Sequence, residues 1–314
     1  MARGAISGVT GGVKRRSSRA GSRVRLGAWL GIAVMMALAG TADAATRHRH
    51  HVRTTADDPG LRSASVLVVD ESSSADSVLY SKNATTAAPI ASITKLMTAL
   101  VIADAKLPLD QPIQVTNEDR SLHKGAASRL AIGTTLPRGD LIHLALMASE
   151  NRAAHALGRT YPGGLGVFVE AMNAKAKALG MTSAHFVDPV GLSSDNVASP
   201  EDLVKLVNAA SHDPTIREFS TDTNYSVPVG RRIVEFRNTN SLVRNPDWDI
   251  VVQKTGYISE AGKCLVMKTV IDGRNVVMVL LNSYGRYTRV ADARRIRQWM
   301  EAKLSSPRTA SNKA

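Results

Sequence analysis

Strand-like segments stand near both ends of this 314-residue chain, and helical segments fill the middle. Two strand-like runs, at 65–70 and 77–80, are joined by a serine-rich turn. Three more follow later: one at 249–258, and two that flank an Asp-Gly pair, which is a signal of a β-hairpin. This order predicts an α+β fold, in which an antiparallel sheet is flanked by helices and a helical subdomain is inserted between its strands.

Helical periodicity dominates the region between these strands. A Ser-Pro pair at 199–200 is a good start for one helix, and the stretch 107–137 is predicted to be irregular. An amphipathic pattern near the end predicts a terminal helix. The predicted helices begin at residue 92, run over about 139–159 and 166–179, begin again after residue 199, and run over about 290–304.

The first 44 residues have the composition of a secretory signal peptide. A basic front precedes an apolar run at 26–40 that is short for a membrane span, and small residues at 42–44 offer a cleavage site. An uncleaved membrane anchor remains an alternative, and an arginine pair in the basic front also permits twin-arginine export. We expect a chain that is exported to the periplasm and keeps no stable membrane anchor after cleavage.

The remainder of the chain divides into three parts. Residues 45–63 form a polar linker, residues 64–304 form one domain, and residues 305–314 form a polar tail. The central part is long enough for a single domain with a full hydrophobic core.

The net charge of the chain is +13, but residues 1–44 hold seven basic residues and one acidic residue, which leaves about +7 for the mature chain. A modest positive surface suits an anionic cell-wall polymer. We expect no nucleic-acid partner, because aromatic residues make up only 4% of the chain and no Lys/Arg run is interleaved with stacking residues.

Cysteine and histidine usage gives no sign of a metal or a cofactor. Cys264 is the single cysteine, so no internal disulfide can form. It lies in an apolar strand-like run, where we expect a buried thiol. No histidine pair has the spacing of a zinc site. The histidine-rich run at 47–53 could bind a metal, but a solvated linker explains it more simply.

Three short polar motifs interrupt the apolar elements. In chain order they are Ser92-Ile93-Thr94-Lys95, Ser149-Glu150-Asn151 and Lys254-Thr255-Gly256. The first opens a helical stretch, the second lies between two more, and the third lies in a strand-like run.

Two other segments match these motifs by chance. Ser121 and Lys124 have the same spacing as the first motif, but no helical period follows them. The segment 194–196 reads Ser-Asp-Asn, but it lies in a turn-rich loop. An apolar stripe with helical spacing does follow Ser92, and Ser149 lies inside a helical region. We therefore select Ser92 and Ser149.

Ser-x-x-Lys, Ser-Asp-Asn and Lys-Thr-Gly are together the signature of the penicillin-binding protein and class A β-lactamase superfamily. The chain resembles this superfamily over roughly residues 64–304. Glu150 departs from the aspartate of the signature, but it lies between the two reactive side chains of its motif. The resemblance implies a β-lactamase/penicillin-binding-protein transpeptidase-like fold. It also implies peptidoglycan peptide stems as substrates and β-lactams as covalent inhibitors.

Ser92 and Lys95 are the candidate nucleophile and base. They lie three residues apart at a helix start, so they share one face. A serine hydroxyl reacts well once a base takes its proton, and Lys95 can act only while it is neutral. Burial and a second cation both lower the pKa of a lysine, and Lys254 on the substrate-binding strand can be that cation. If the Ser92–Lys95 pair is considered without the other motifs, the alternative is that Lys95 is an ordinary solvated lysine on a helix.

The resemblance implies roles for the other motif residues. Ser149 passes a proton to the leaving amine, and Asn151 holds the peptide amide of the substrate. Thr255 offers its hydroxyl to a carboxylate, and Gly256 lets the substrate backbone lie close to the strand edge. The backbone N–H groups of the nucleophile and of Tyr257 form the oxyanion hole.

Deacylation chemistry separates the members of this superfamily. Class A β-lactamases use a glutamate in an E-x-x-L-N loop, and the chain contains no such motif. This favours a DD-peptidase over a β-lactamase. The short form most resembles the D-alanyl-D-alanine endopeptidases of the penicillin-binding protein 7 group, which implies cleavage of the D-alanyl–diaminopimelate cross-link. A D-Ala-D-Ala carboxypeptidase stays open, as does a non-catalytic wall-binding relative, although the intact motifs disfavour the latter.

Overall fold

The computed structural model describes residues 58–72, 76–120 and 128–305. The predicted signal peptide, most of the predicted linker, the tail after Ser305 and the competing Ser121–Lys124 match lie outside the described residues. Across the described helices, none combines the length and the apolar character that crossing a bilayer requires.

Eleven strands are present in the described part of the chain. They are β1 (Ser63–Asp70), β2 (Ser77–Lys82), β3 (Ala88–Pro89), β4 (Pro112–Gln114), β5 (Thr135–Pro137), β6 (Val197–Ala198), β7 (Asn224–Val229), β8 (Arg232–Arg237), β9 (Asp249–Ile258), β10 (Gly262–Ile271) and β11 (Arg274–Ser283).

Seven α-helices accompany these strands in the described ranges. They are α1 (Thr94–Asp104), α2 (Arg138–Met147), α3 (Asn151–Arg159), α4 (Gly164–Ala178), α5 (Pro200–His212), α6 (Pro214–Thr221) and α7 (Thr288–Ser305). Short 3₁₀ turns occur at Ala91–Ile93, Asn117–Asp119 and Ser241–Arg244.

Five of the strands form the main antiparallel sheet, in the order β2-β1-β11-β10-β9. The first strand and the last strand pair in the middle of the sheet, so the helical segment between them folds as an insertion. The predicted hairpin joins β10 to β11, where Asp272 and Gly273 both have positive φ, 49° and 75°. The predicted α+β fold is thus confirmed, and β9 with its Lys-Thr-Gly motif lies at one edge of the sheet.

The sheet is buried on both faces, because successive side chains of a strand point in opposite directions. In β1, Val66 and Val68 pack with α7, whereas Leu67 and Val69 join the core of the helical layer. Helix α5 lies across that second face and contacts β1, β9, β10 and β11. Burial on both faces explains why the central strands read as nearly continuous apolar runs.

Helix α1 is the centre of the helical subdomain. Helices α2, α3, α4, α5 and α6 all contact it, and every residue from Thr94 to Ile102 is buried. The apolar stripe that predicts this helix is therefore only part of its buried surface. The element that carries Lys95 is enclosed by protein on all sides, which fixes the position of that side chain.

The structure corrects the predicted boundary between linker and domain. The predicted linker ends at residue 63, but β1 begins at Ser63 and Leu61 is buried. Asp292 of α7 causes the difference, because its carboxylate accepts the backbone N–H groups of Arg62 and Ser63 at 3.0 and 2.7 Å. The last residues of the predicted linker are thereby attached to the sheet.

The structure also contains elements that the sequence reading did not identify. The β7–β8 hairpin and α6 lie between α5 and β9, and α6 packs against β9. The region 107–137, predicted to be irregular, contains the small β4–β5 pair and a 3₁₀ turn. The predicted helix over 139–159 is two helices, since the chain turns sharply at Ser149.

Candidate active site

Ser92 lies in the 3₁₀ turn directly before α1, and not in the α-helix itself as the motif predicts. The preceding residue, Ala91, has a φ of +49°, in the left-handed region that non-glycine residues rarely adopt. Ser92 is 8% exposed. The turn contacts β9 and leads directly into α1, so Ser92 lies where the helical layer meets β9, a region that we call the cleft.

Lys95 points back at Ser92 from the first turn of α1. Its Nζ lies 2.7 Å from Ser92 Oγ, 2.9 Å from Asn151 Oδ1 and 2.7 Å from the carbonyl oxygen of Val190. A neutral lysine amine has two N–H donors and one lone pair. The carbonyl and carboxamide oxygens can only accept, so they take the two N–H groups. The lone pair is then directed at the hydroxyl of Ser92.

The environment of Lys95 makes a neutral amine available near neutral pH. The side chain is fully buried, and burial lowers its pKa from 10.5 to about 7. The carboxylates of Asp188 and Glu150 act in the opposite direction and raise this pKa. Burial outweighs them, because neither carboxylate pairs directly with the amine.

Lys254 is also fully buried, on β9, and donates to the backbone oxygen of Thr255 at 2.9 Å. Its pKa lies well below the ordinary value, first through burial and then through the charges of Lys95 and Arg289. The sequence reading assigned Lys254 the role of lowering the pKa of Lys95. Burial is the main cause of the lowered pKa of Lys95. The repulsion between the two lysines instead contributes to the lowered pKa of Lys254.

The second motif occupies the turn between α2 and α3. Ser149 is half-buried and has a φ of +59°. Glu150 is buried and caps α3, with its side chain accepting the N–H of Arg152 at 3.3 Å. Aspartate could do the same, so the departure from the signature leaves the turn intact. Asn151 begins α3 and reaches Lys95.

The third motif lies against the Ser92 turn. A Cβ added at Gly256 would lie 2.8 Å from the oxygen of Ile90 and 3.3 Å from the nitrogen of Ser92, so only glycine permits this approach. The hydroxyls of Thr255 and Thr239 are 2.6 Å apart. Tyr257 is 58% exposed at the end of the motif.

The structure therefore brings parts of all three motifs together. Direct hydrogen bonds join Ser92, Lys95 and Asn151. Gly256 abuts the nucleophile turn, and Lys254 is close enough to Lys95 for their charges to interact.

One loop that supports this site was not recognised in the sequence. Asp188 accepts the backbone N–H groups of Val190 and Gly191 at 2.6 Å each, and that of Ser193 at 3.0 Å. These bonds fold the loop so that the oxygen of Val190 meets Lys95. The density of Asp, Gly and Ser in this segment is the signal that could have revealed it.

The same loop holds the nucleophile turn from behind. The Cβ position of Gly191 would lie 2.0 Å from the carbonyl oxygen of Ala91, so the two backbones touch. Asn196 is fully buried, donates to Thr94 Oγ1 at 3.2 Å and accepts the N–H of Ile90 at 3.0 Å through its carbonyl. The literal Ser-Asp-Asn at 194–196 thus supports the turn through Asn196, whose side chain also bonds the backbone of Val187 and Asp188 and so joins the loop to the turn.

Arg289 of α7 is a second residue that the sequence reading missed. Its Nη1 donates to the carbonyl oxygen of Gly256 at 2.8 Å and to that of Cys264 at 3.2 Å. Burial lowers its pKa. This contact attaches the terminal helix to the Lys-Thr-Gly strand beside the cleft. Cys264 itself is buried, as predicted, and burial raises its pKa to about 11.

No group of three or more His, Cys, Asp or Glu side chains that could hold a metal ion occurs within the described residues. His143 and His155 make their contacts with residues outside the three motifs. His143 is stacked between Phe219 and Tyr225, and His155 is bonded to Asp119 at 2.8 Å.

A sheet of this order with the three motifs gathered at one cleft defines a penicillin-recognising serine peptidase. The sequence pattern of the D-alanyl-D-alanine carboxypeptidase family matches residues 52–285, and the chain belongs to this family. It is therefore a serine-type DD-peptidase, a hydrolase that acts on peptidoglycan.

Known relatives refine this placement. The chain is 46% identical over 243 residues to the D-alanyl-D-alanine endopeptidase of Pseudomonas aeruginosa, covering 77% of this chain and 78% of the relative. It is 45% identical over 252 residues to the D-alanyl-D-alanine endopeptidase of Escherichia coli, covering 79% and 80%.

Among solved structures, penicillin-binding protein D2 of Listeria monocytogenes in its cefotaxime-bound form matches with a TM-score of 0.67 and 28% identity. The match covers 78% of this chain and 98% of that one.

Proposed function

We propose that this protein is a periplasmic endopeptidase that cleaves D-alanyl–diaminopimelate cross-links of peptidoglycan through an acyl-enzyme on Ser92. The observation that carries the chemistry is the 2.7 Å contact between Lys95 Nζ and Ser92 Oγ, with the acceptor oxygens of Asn151 and Val190 within 2.9 Å of the same nitrogen. The preference for cross-links is supported by the 45–46% identity to endopeptidases.

Acylation begins when Ser92 Oγ attacks the carbonyl carbon of the D-alanine at the scissile bond. Its proton passes to the neutral Nζ of Lys95 as the new C–O bond forms. The backbone N–H groups of Ser92 and Tyr257 receive the oxyanion, and such a donor typically contributes about 3 kcal/mol of transition-state stabilisation. Lys254 and Thr255 hold the carboxylate beside the leaving amine.

Breakdown of the tetrahedral intermediate breaks the C–N bond. The leaving amine takes a proton through Ser149, which is supplied from Lys95. Water then attacks the ester, again with Lys95 as the base, and releases the stem while Ser92 regains its proton. Asn151 orients both Lys95 and the peptide amide of the substrate.

Export and domain organisation form part of the same proposal. A signal peptide at 1–44 would deliver the chain to the periplasm, a short polar linker would follow, and the peptidase domain would act on the wall there. N-terminal sequencing of the exported protein should give Ala45 or a residue within a few positions of it. An exported chain beginning at Met1 would favour a membrane anchor instead.

A D-Ala-D-Ala carboxypeptidase is the second candidate, because the matching family is described by that activity. Purified mature protein should be incubated with cross-linked muropeptide dimers and with monomeric pentapeptides, with Ser92→Ala as the inactive control. Conversion of dimers to monomers supports the endopeptidase. Release of D-alanine from monomers, with dimers left uncut, would contradict the cross-link preference.

A further inference from the structure

Beyond the reacting residues, positive side chains continue from the cleft across the end of the sheet. Lys254, Arg289, Lys263 and Arg286 are near enough to influence one another's charge. Burial, then Arg289 and Arg286, lower the pKa of Lys263. Within the described ranges, none of these four forms an ion pair with a carboxylate.

The strand register explains why this group lies next to the Lys-Thr-Gly motif. Lys263 of β10 is opposite Tyr257 of β9 on one side and Ser283 of β11 on the other. The Nζ of Lys263 sits 3.8 Å from the ring centroid of Tyr257, and the guanidinium of Arg286 lies 5.4 Å from that of Tyr287. We call the set Tyr257, Lys263, Arg286, Tyr287 and Arg289 the basic rim.

Lys263 and Arg289 of the rim differ from most other partly buried basic side chains among the described residues. Lys268, Lys175 and Arg159, for example, each lie within 2.9 Å of a carboxylate. Like charges packed together without counter-ions disfavour the folded state. Glu260, the acidic residue in the turn between β9 and β10, is exposed and makes no ion pair with the rim. Arg289 attaches α7 to β9, and Lys263 and Arg286 lie near tyrosine rings, but no carboxylate of the described residues neutralises these cations, which points to an external anion.

We propose that the basic rim binds free carboxylates of the peptide stem, outside the two residues that flank the scissile bond. This inference rests on the proposed function, in which a stem peptide lies along β9. Diaminopimelate is a dicarboxylic amino acid, so a stem brings carboxylates close to the cleft. Guanidinium and ammonium groups that form no ion pair with a protein carboxylate are suited to them.

The geometry favours an acidic peptide over a bare glycan strand. Sugars bind flat on open aromatic faces, and a cation lies near one face of each of the exposed rings of Tyr257 and Tyr287 in the rim. Around these rings the rim presents positive charge to solvent. An uncharged sugar would gain little from that charge.

The test compares two substrates on two proteins. The substrates are a stem peptide with free carboxylates and the same peptide amidated at every carboxylate except those of the two residues that flank the scissile bond, each as a monomer and as a cross-linked dimer. The variant is Lys263→Gln combined with Arg286→Gln. The control is Lys177→Gln combined with Arg217→Gln, which removes two exposed cations from α4 and α6. The rate of acylation by a β-lactam reports whether the reacting groups are intact.

The wild-type protein and the control should both prefer the acidic stem. In the rim variant, KM for the acidic stem should rise about tenfold, kcat should change by less than about twofold, and the preference should disappear. β-Lactam acylation should stay at the wild-type rate. A rim variant that keeps the full preference overturns the inference.

Two other results are informative. If dimers stay uncut while monomers are cleaved, the endopeptidase proposal fails, and the rim is still tested by the monomer pair. If peptide-free glycan strands compete with substrate on wild-type protein but not on the rim variant, the site binds glycan and the present inference is wrong.

Discussion

Two buried charged side chains in this protein have opposite surroundings. Asp119 receives hydrogen bonds from His155 at 2.8 Å, from Arg159 at 2.9 and 3.0 Å, and from the backbone of Thr116 at 2.8 Å. These contacts outweigh burial and lower its pKa to about 2. Lys95 has only uncharged partners, and burial lowers its pKa to about 7.

The two pKa shifts have the same direction but opposite consequences. A lowered pKa means that Asp119 is held in its charged form, which stabilises the fold at neutral pH. For Lys95 a lowered pKa means that the charged form is disfavoured, which costs stability and leaves a neutral amine to act as a base. The comparison suggests how to distinguish a structural charge from a reactive one: by whether the protein supplies a counter-charge.

The largest effect should follow from removing the base. Lys95→Arg keeps a cation that cannot accept the serine proton, and Lys95→Met keeps the volume without the amine. Both should slow β-lactam acylation by at least about 10³-fold. Stopped-flow acylation with a fluorescent penicillin measures this. A Lys95→Arg protein with a near-normal rate would refute the base role. Ser92→Ala should not label at all.

The loop that positions Lys95 can be tested by backbone crowding. Gly191 has a φ of +81° and touches the carbonyl of Ala91, whereas Gly133 has a φ of +87° and open space at its Cβ position. Gly133→Ala should cost about 1 kcal/mol of unfolding free energy from the backbone alone. Gly191→Ala should cost about 3 kcal/mol and slow acylation as well. Equal losses for the two variants, measured by urea unfolding, would show that the contact with Ala91 does not matter.

Removal of the charge of Asp119 should destabilise the protein but leave the rate of acylation almost unchanged. Asp119→Asn leaves Arg159 without its carboxylate and should lower the free energy of unfolding by about 3 kcal/mol. The acylation rate of the folded protein should change by less than about twofold. A variant with normal stability and slow acylation would show that Asp119 serves the reaction and not the stability of the fold.

The pH dependence of stability follows from the same carboxylate. The pKa of Asp119 is lower in the folded state than its ordinary value of 3.8. Its contribution of about 2 kcal/mol is therefore present above pH 4 and is lost as pH falls toward 2. Urea midpoints between pH 5 and 2 should fall less steeply for Asp119→Asn than for wild-type protein.

The pH dependence of stability also reports the cost of burying Lys95. The unfolded chain binds this proton up to about pH 10.5, and the folded chain only up to about pH 7. Wild-type stability should therefore rise between these values, by about 1.4 kcal/mol per pH unit for one proton. Lys95→Met should lose that contribution. Parallel stability curves for the two proteins from pH 7 to 9 would mean that Lys95 is charged in the folded state.

Much of the fold could be predicted because it depends on local periodicity. The sheet strands follow from short apolar runs, the hairpin at Asp272 from turn chemistry and the terminal helix from helical periodicity. The β7–β8 hairpin also carried a signal, a glycine at a two-residue turn, Gly230, with a φ of 62°. It was missed because its flanking residues mix polar and apolar side chains with no sustained run.

The motif residues of the site could be predicted, but their supports could not. The left-handed turns at Ala91 and Ser149 are imposed by packing, not by residue preference. Arg289 lies 33 residues from Gly256, and their contact exists only because α7 packs beside the sheet. Asp188 acts on Lys95 through a loop whose folding depends on backbone hydrogen bonds.

The central claim is that an unpaired, buried Lys95 is the base for Ser92. The most direct test is the rate of β-lactam acylation of the mature protein from pH 5 to 9. The rate should rise about tenfold per pH unit below a midpoint near 7 and level off above it, as Lys95 loses its proton. A rate that is flat from pH 5 to 9, or that is still rising steeply at pH 9, would contradict the claim.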